Sequence, residues 1–108
     1  MARYVLIESR DPFEWADVSR SYATASGLAK QGDQVTLFLV QNGVLPARRC
    51  QQSKPLEALA KEGVTVLADE FSLRERGIDA GALAAGIKAA PIDTVVDQLA
   101  DGRKALFY

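Results

Sequence analysis

The sequence predicts a single-domain α/β fold, a mostly parallel five-stranded sheet with helices on both faces. Three observations predict it. Charge-poor apolar runs of strand length recur along the chain, at Arg3–Glu8, Gln34–Val40 and Val64–Leu67. Helix start and stop residues follow each of them, so strand and helix alternate and the strands must be joined by crossovers. The 108 residues are enough for one core, and no linker, repeat or low-complexity tract divides them.

The elements follow in order. RYVLIE, Arg3 to Glu8, is the first strand. Asp11-Pro12-Phe13-Glu14 then reads as a helix start, with Asp11 as the cap, Pro12 in the first turn and Glu14 completing a capping box. This helix should run to about Lys30, turning Phe13, Val18, Tyr22 and Leu28 towards the sheet, and Gln31-Gly32-Asp33 should end it. QVTLFLV, Gln34 to Val40, carries no charge and should be central. Asn42-Gly43 and Pro46 predict a loop that leads into the polar stretch Arg48–Lys54.

A short helix at Leu56–Lys61 should stop at Gly63. The strand from Val64 comes next and should also be internal. It runs into a helix at Phe71–Arg76 with Asp69 as its cap and Gly77 as its stop. Ile87–Ala90 is a candidate edge strand, because Pro91 ends it. Ile92–Ala100 is a helix with Ile92, Val95, Val96 and Leu99 on one face. KALFY, Lys104 to Tyr108, is the last strand.

Composition narrows the function. Apolar residues make up 48% and charged residues 25%, the balance of an ordinary globular chain. The net charge of −1 gives no electrostatic case for nucleic acid or an anionic membrane surface. No apolar run approaches the roughly 20 residues that span a bilayer. The opening MARYVLIES enters a strand directly, without signal-peptide architecture, and a single cysteine leaves no internal disulfide. Both predict a cytoplasmic protein. Histidine is absent, which removes Ser-His-Asp and Cys-His catalysis and the usual zinc and non-haem iron ligand sets.

Few motifs carry chemistry. The turn after the first strand, Ser9-Arg10-Asp11-Pro12, has no glycine and is neither a dinucleotide fingerprint nor a Walker loop. Asp69 at a strand end suits a phospho-receiver domain, but the paired early acids and late lysine of such a domain are missing. Its plainer role is a helix cap, worth about 1 kcal/mol. Glu70 and Glu75 lie five residues apart, on different faces of a helix, and read as surface charges. Phe13 and Trp15 read as packing or interface groups. Cys50 sits between Arg48-Arg49 and Ser53, where flanking cations can raise a thiol's reactivity. The competing reading is a surface-loop cysteine. In an open parallel sheet, Ser9, Arg10, Asn42, Gly43 and Asp69 should converge at the carboxyl edge, where ligands bind.

The stretch VTVLADEFSLRERGI, Val64 to Ile78, resembles the reactive segment of the DsrE/DsrF/DsrH-like (TusBCD-like) sulfur-relay family. In that family a cysteine follows the strand and RGI or RGV closes the helix. Arg76-Gly77-Ile78 matches, and Asp69 stands where the cysteine falls. Asp11-Pro12-Phe13-Glu14 and Gln41-Asn42-Gly43-Val44 look like the DsrH/TusB branch, and Gly86-Ile87-Lys88 through Ala105-Leu106-Phe107-Tyr108 has the family's cadence. The DsrH-type first-helix cysteine would fall near Ser21.

The resemblance implies a small cytoplasmic subunit that self-associates as a trimer or hexamer, or joins related small subunits. It also implies a sulfur-carrier protein as a possible partner, and no cofactor or metal. Sulfane sulfur needs a thiolate to bond to, so the expected function is that of an oligomeric structural, partner-binding or small-ligand-binding subunit without direct persulfide transfer. One alternative is a sulfurtransferase that uses Cys50. Another is a pocket enzyme or sensor centred on Asp69. At Asp69 a carboxylate should accept hydrogen bonds or hold a cation such as Arg10.

Overall fold

The computed structural model describes residues 1–108. Five strands form one sheet in the order β4-β3-β2-β1-β5. They are β1 (Arg3–Glu8), β2 (Gln34–Leu39), β3 (Thr65–Asp69), β4 (Ile87–Ala90) and β5 (Lys104–Phe107). Every neighbouring pair is parallel. The charge-poor β2 and β3 are internal, and the two four-residue strands β4 and β5 form the edges.

The helices are α1 (Val18–Lys30), α2 (Lys54–Lys61), α3 (Glu70–Glu75) and α4 (Asp93–Ala100), with 3-10 helices at Gln41–Ala47, Gln51–Ser53 and Ala80–Ala82. Their placement follows from handedness. The steps from β1 to β4 all move one way across the sheet, and right-handed crossovers keep their helices on one face. The step from β4 to β5 reverses direction and carries α4 to the other face.

Burial is correspondingly lopsided. Nineteen buried residues form the first cluster, with Leu6, Leu37, Leu39 and Val66 from the strands, Val18, Tyr22 and Ala25 from α1, Leu56 and Leu59 from α2, and Leu73 from α3. The second cluster has four, Val5, Phe38, Ala90 and Val95. A helix about 10 Å across cannot cover five strands spaced about 4.8 Å apart. Ile7, Val40, Leu67 and Ala105 therefore stay only partly buried.

Several elements differ from the sequence reading. The Asp11 cap forms, with its Oδ1 accepting the Glu14 amide at 2.9 Å, but it closes a single turn. The helix proper begins at Val18, the first residue of that stretch to enter the core. Between them Arg10 stacks on Trp15, 4.5 Å from the ring centroid, and pairs with Asp17 at 3.6 Å. Phe13 is exposed instead of facing the sheet. The segment expected as a loop at Asn42–Gly43 is a 3-10 helix that contains Pro46. On α4 only Val95 is buried, and Ile92, Val96 and Leu99 are 49%, 59% and 42% exposed.

Candidate functional site

The carboxyl edge of the sheet is organised around Asp69. The strand β3 buries Val66 and Ala68 and delivers Asp69 to the start of α3 in an extended conformation. As the helix cap, Asp69 accepts two hydrogen bonds on one oxygen, Oδ2. The Ser72 amide donates at 3.0 Å and the Ser72 hydroxyl at 2.7 Å. The helix then closes as the sequence predicts. Gly77 takes φ +64, and the Ile78 amide reaches back to the Leu73 carbonyl at 2.9 Å, a Schellman closure sealed by two buried side chains.

A third residue joins this pair from the next strand. The Gln41 amide donates to the Ser72 hydroxyl at 2.8 Å, so a chain of bonds runs from Gln41 through Ser72 to Asp69. Gln41 has φ +51, the left-handed region that a side-chain-bearing residue enters at a cost of about 1 kcal/mol. Gln41 thus supports the carboxylate at one remove, through Ser72, while only 7% of Asp69 remains exposed.

A cleft of about 510 Å³ opens at this point. Ser9, Gln41, Asp69, Ser72 and Glu75 supply its polar lining. Ile7, Val40, Phe71, Ile92, Phe107 and Tyr108 supply its walls. A smaller hollow on the far side of Phe71 and Ile92 shares Asp69 with it. The crevice lies where α3 and α4 leave for opposite faces of the sheet, the position at which open parallel sheets bind ligands.

Of the residues expected to converge here, Ser9 and Asp69 share the cleft. The other three do not join them. Arg10 is turned onto Trp15 and Asp17, so the cation expected at Asp69 is elsewhere and Ser72 takes its place. Asn42 Oδ1 accepts from the Arg76 guanidinium at 3.0 Å. Gly43 packs against β1 so closely that a Cβ there would overlap the Glu8 carbonyl oxygen.

Sequence reasoning passed over Ser72, Gln41 and Glu8. Asp69-x-x-Ser72 is itself a capping pattern, so Ser72 had a signal. Nothing in the sequence marks Gln41, because glutamine gives no signal for the left-handed backbone it adopts. Glu8 is 2% exposed at the end of β1, and its two oxygens accept from the Ser21 hydroxyl at 2.7 Å and the Arg10 amide at 3.1 Å. Beside it, Tyr22 carries a buried hydroxyl without a partner. Burial, then the charges of Glu8 and Asp11, push its ionisation well above the ordinary range.

Cys50 lies in a separate hollow with Arg49, Ser53, Lys54 and Glu57. The residue is exposed, and at the turn that enters α2 its carbonyl accepts the Ser53 amide at 3.2 Å and the Ser53 hydroxyl at 2.7 Å.

An all-parallel sheet of this order, with its cleft at the carboxyl edge, defines a small α/β protein with no helix long and apolar enough to cross a membrane. The chain matches the DsrE/DsrF-like family over residues 2–108 and belongs to that family. Its fold is similar to that of the ychN protein of E. coli, at TM-score 0.91 and 21% identity over 100% of both chains. MTH1491 of Methanobacterium thermoautotrophicum, a protein of unknown function, aligns at TM-score 0.88 and 19% identity, again over 100% of both chains. BT1422 of Bacteroides thetaiotaomicron, a conserved protein of unknown function, aligns at TM-score 0.82 and 17% identity over 98% of this chain and 94% of its own. No curated protein matches the chain.

Proposed function

We propose that this chain is an oligomeric binding subunit related to the sulfur-relay proteins, one that binds a partner or ligand and does not itself carry sulfur at the family's usual position. The observation that carries the reading is the sheet face covered by α4 alone. Ile92, Val96, Leu99 and Phe107 all remain 42% or more exposed there, and Phe71 of α3 is 59% exposed at the cleft that Ile92 also lines. A closed symmetric assembly buries such a surface. A trimer, a hexamer or a complex with related small subunits in the cytoplasm satisfies it. Asp69 supports the second half of the proposal. By resemblance it occupies the place of the sulfur-carrying cysteine, and a carboxylate locked by Ser72 offers no sulfur to bond to.

Sedimentation velocity at micromolar concentration tests the assembly. The wild type should run as one discrete species larger than 11.7 kDa. The double variant Val96→Lys, Leu99→Asp should run as a monomer with an unchanged circular dichroism spectrum. A wild type found only at 11.7 kDa overturns the reading.

One observation favours a second reading, sulfur transfer through Cys50. Cys50 is exposed in a hollow that Arg49 and Lys54 also line. Intact mass after treatment with a sulfane-sulfur donor separates the two. The leading reading expects no adduct. A stable gain of one sulfur atom that maps to Cys50 favours the second.

A further inference from the structure

The backbone of β5 carries unused hydrogen-bonding groups. β5 is the last strand of the sheet, with β1 on one side and no strand on the other. The Tyr108 amide donates to the Ile7 carbonyl at 2.9 Å, and the Tyr108 carbonyl accepts the Ser9 amide at 3.2 Å, so both groups of Tyr108 face β1. Backbone direction alternates along a strand. Lys104 and Leu106 therefore also face β1, while the N–H and C=O of Ala105 and Phe107 point away from it.

This edge is also unguarded. Proteins blunt exposed edges with charges, proline or a cover. On the opposite edge, β4 has Lys88 within it and Pro91 behind it. On β5 the only charge is Lys104, at its start, and Ala105, Leu106 and Phe107 follow without one. Phe107 is 73% exposed. The helix α4 lies over the adjoining strand, where Val95 clusters with Val5 and Asp101 pairs with Arg3. Its exposed stripe thus stands one strand in from the edge, and Ile92 lines one cleft with Phe107.

The spacing of the free groups selects the occupant. Ala105 and Phe107 flank Leu106, so the set is its own complement. A second copy running antiparallel, about a two-fold axis at Leu106, sets Ala105 of each chain against Phe107 of the other as hydrogen-bonded pairs. Each pair puts an aromatic ring beside a methyl group on one face. The two Lys104 residues then lie roughly 14 Å apart, whereas a parallel partner in register would set them side by side.

We propose that β5 is a dimerisation edge that pairs antiparallel with β5 of a second copy, so that the two sheets become one and both α4 stripes share a face. The inference rests on the reading of the chain as an oligomeric subunit and names one of its interfaces. It requires an assembly that contains a two-fold axis, as a hexamer does and an isolated trimer does not.

Cysteine cross-linking reads the register. In this pairing the two Leu106 Cα atoms should be about 4.5 Å apart, within disulfide reach. In the Cys50→Ser full chain, Leu106→Cys should give a covalent dimer with oxidised glutathione, and Lys104→Cys should not. Ala105→Pro removes an outward N–H and keeps every bond to β1, so it should dissociate at a concentration about tenfold or more above that of wild type, with an unchanged circular dichroism spectrum. Hydrogen exchange of the wild type needs no variant. The Ala105 and Phe107 amides should exchange within about tenfold of the Leu106 amide, which β1 protects, whereas free edge amides exchange far faster.

Exchange of both amides at the rate of an open loop overturns the proposal, as does Leu106→Cys that cross-links no better than Lys104→Cys. Should Ala105→Pro fail to fold, these two measurements decide. A wild-type assembly that a folded Ala105→Pro leaves intact defeats this inference alone. An assembly that Ala105→Pro dissociates and Val96→Lys, Leu99→Asp does not defeats the α4 reading alone. A wild type found only as a monomer overturns both.

Discussion

The Gln41 amide, just past the end of β2, and the Ser72 hydroxyl, in the first turn after β3, meet at 2.8 Å. That bond uses a left-handed residue to aim an N–H at a hydroxyl, which in turn donates to Asp69. Ser72→Ala leaves the Gln41 amide and one carboxylate site without a partner. It should lower unfolding free energy by about 1–3 kcal/mol in urea denaturation, with little change in m.

Gln41 itself should respond in the opposite sense. Glycine takes a positive φ without the Cβ clash, so Gln41→Gly should raise stability by as much as about 1 kcal/mol. A β-branched residue there, as in Gln41→Val, should lower it. Thermal unfolding of both variants checks the pair, and a destabilised glycine variant would mean that the side chain holds the turn.

Gly43 tests the packing of the same segment. Any Cβ at this position overlaps the Glu8 carbonyl oxygen, which also accepts the Val40 amide at 3.0 Å. Both partners are backbone and neither can rotate away. Gly43→Ala should destabilise by about 1–3 kcal/mol or more, read as a lowered Tm.

Tyr22 predicts a pH dependence. Its hydroxyl is buried without a partner and ionises well above the ordinary tyrosine range of about 10, first because of burial and then because of Glu8 and Asp11. The folded value lies above the unfolded one. The neutral form's contribution is thus complete below about pH 10 and is lost as pH rises through the unfolded value, by up to about 1.4 kcal/mol per pH unit. Tyr22→Phe removes an unsatisfied polar atom. It should leave stability at pH 7 unchanged or higher and flatten the alkaline loss, as measured by denaturation between neutral and alkaline pH.

The sheet was legible because burial writes itself into composition. The uncharged β2 and the charge-free stretch Val64–Leu67 that runs into β3 lie inside, and Pro91 marks β4 as an edge. Asp69 and Gly77 announce the two ends of α3 by their caps. The start of α1 was misread because a cap signal specifies a turn and not its continuation. The Arg10–Trp15 stack and the Asp17 pair hold that turn apart, and packing restarts the helix at Val18.

At the cleft, Ser9 and Asp69 were legible from strand ends alone. Asn42 and Gly43 were misplaced because the 3-10 helix turns one towards Arg76 and the other into β1. Periodicity also revealed the apolar stripe of α4, but it does not say whether the same chain covers that stripe.

The pairing of β5 with β1 bears on synthesis. Lys104 aligns with Tyr4, and the Ser9 amide bonds the Tyr108 carbonyl at 3.2 Å. While the chain emerges from the ribosome, β1 can pair with β2 early, yet its other edge stays unpaired until β5 arrives, after every helix has been made. For most of translation the nascent chain therefore displays the open edge of an apolar strand, a template for wrong pairing between neighbouring chains. A chain stalled or cut before Lys104 would keep that edge permanently, which makes loss of this one short strand a route to aggregation out of proportion to its length.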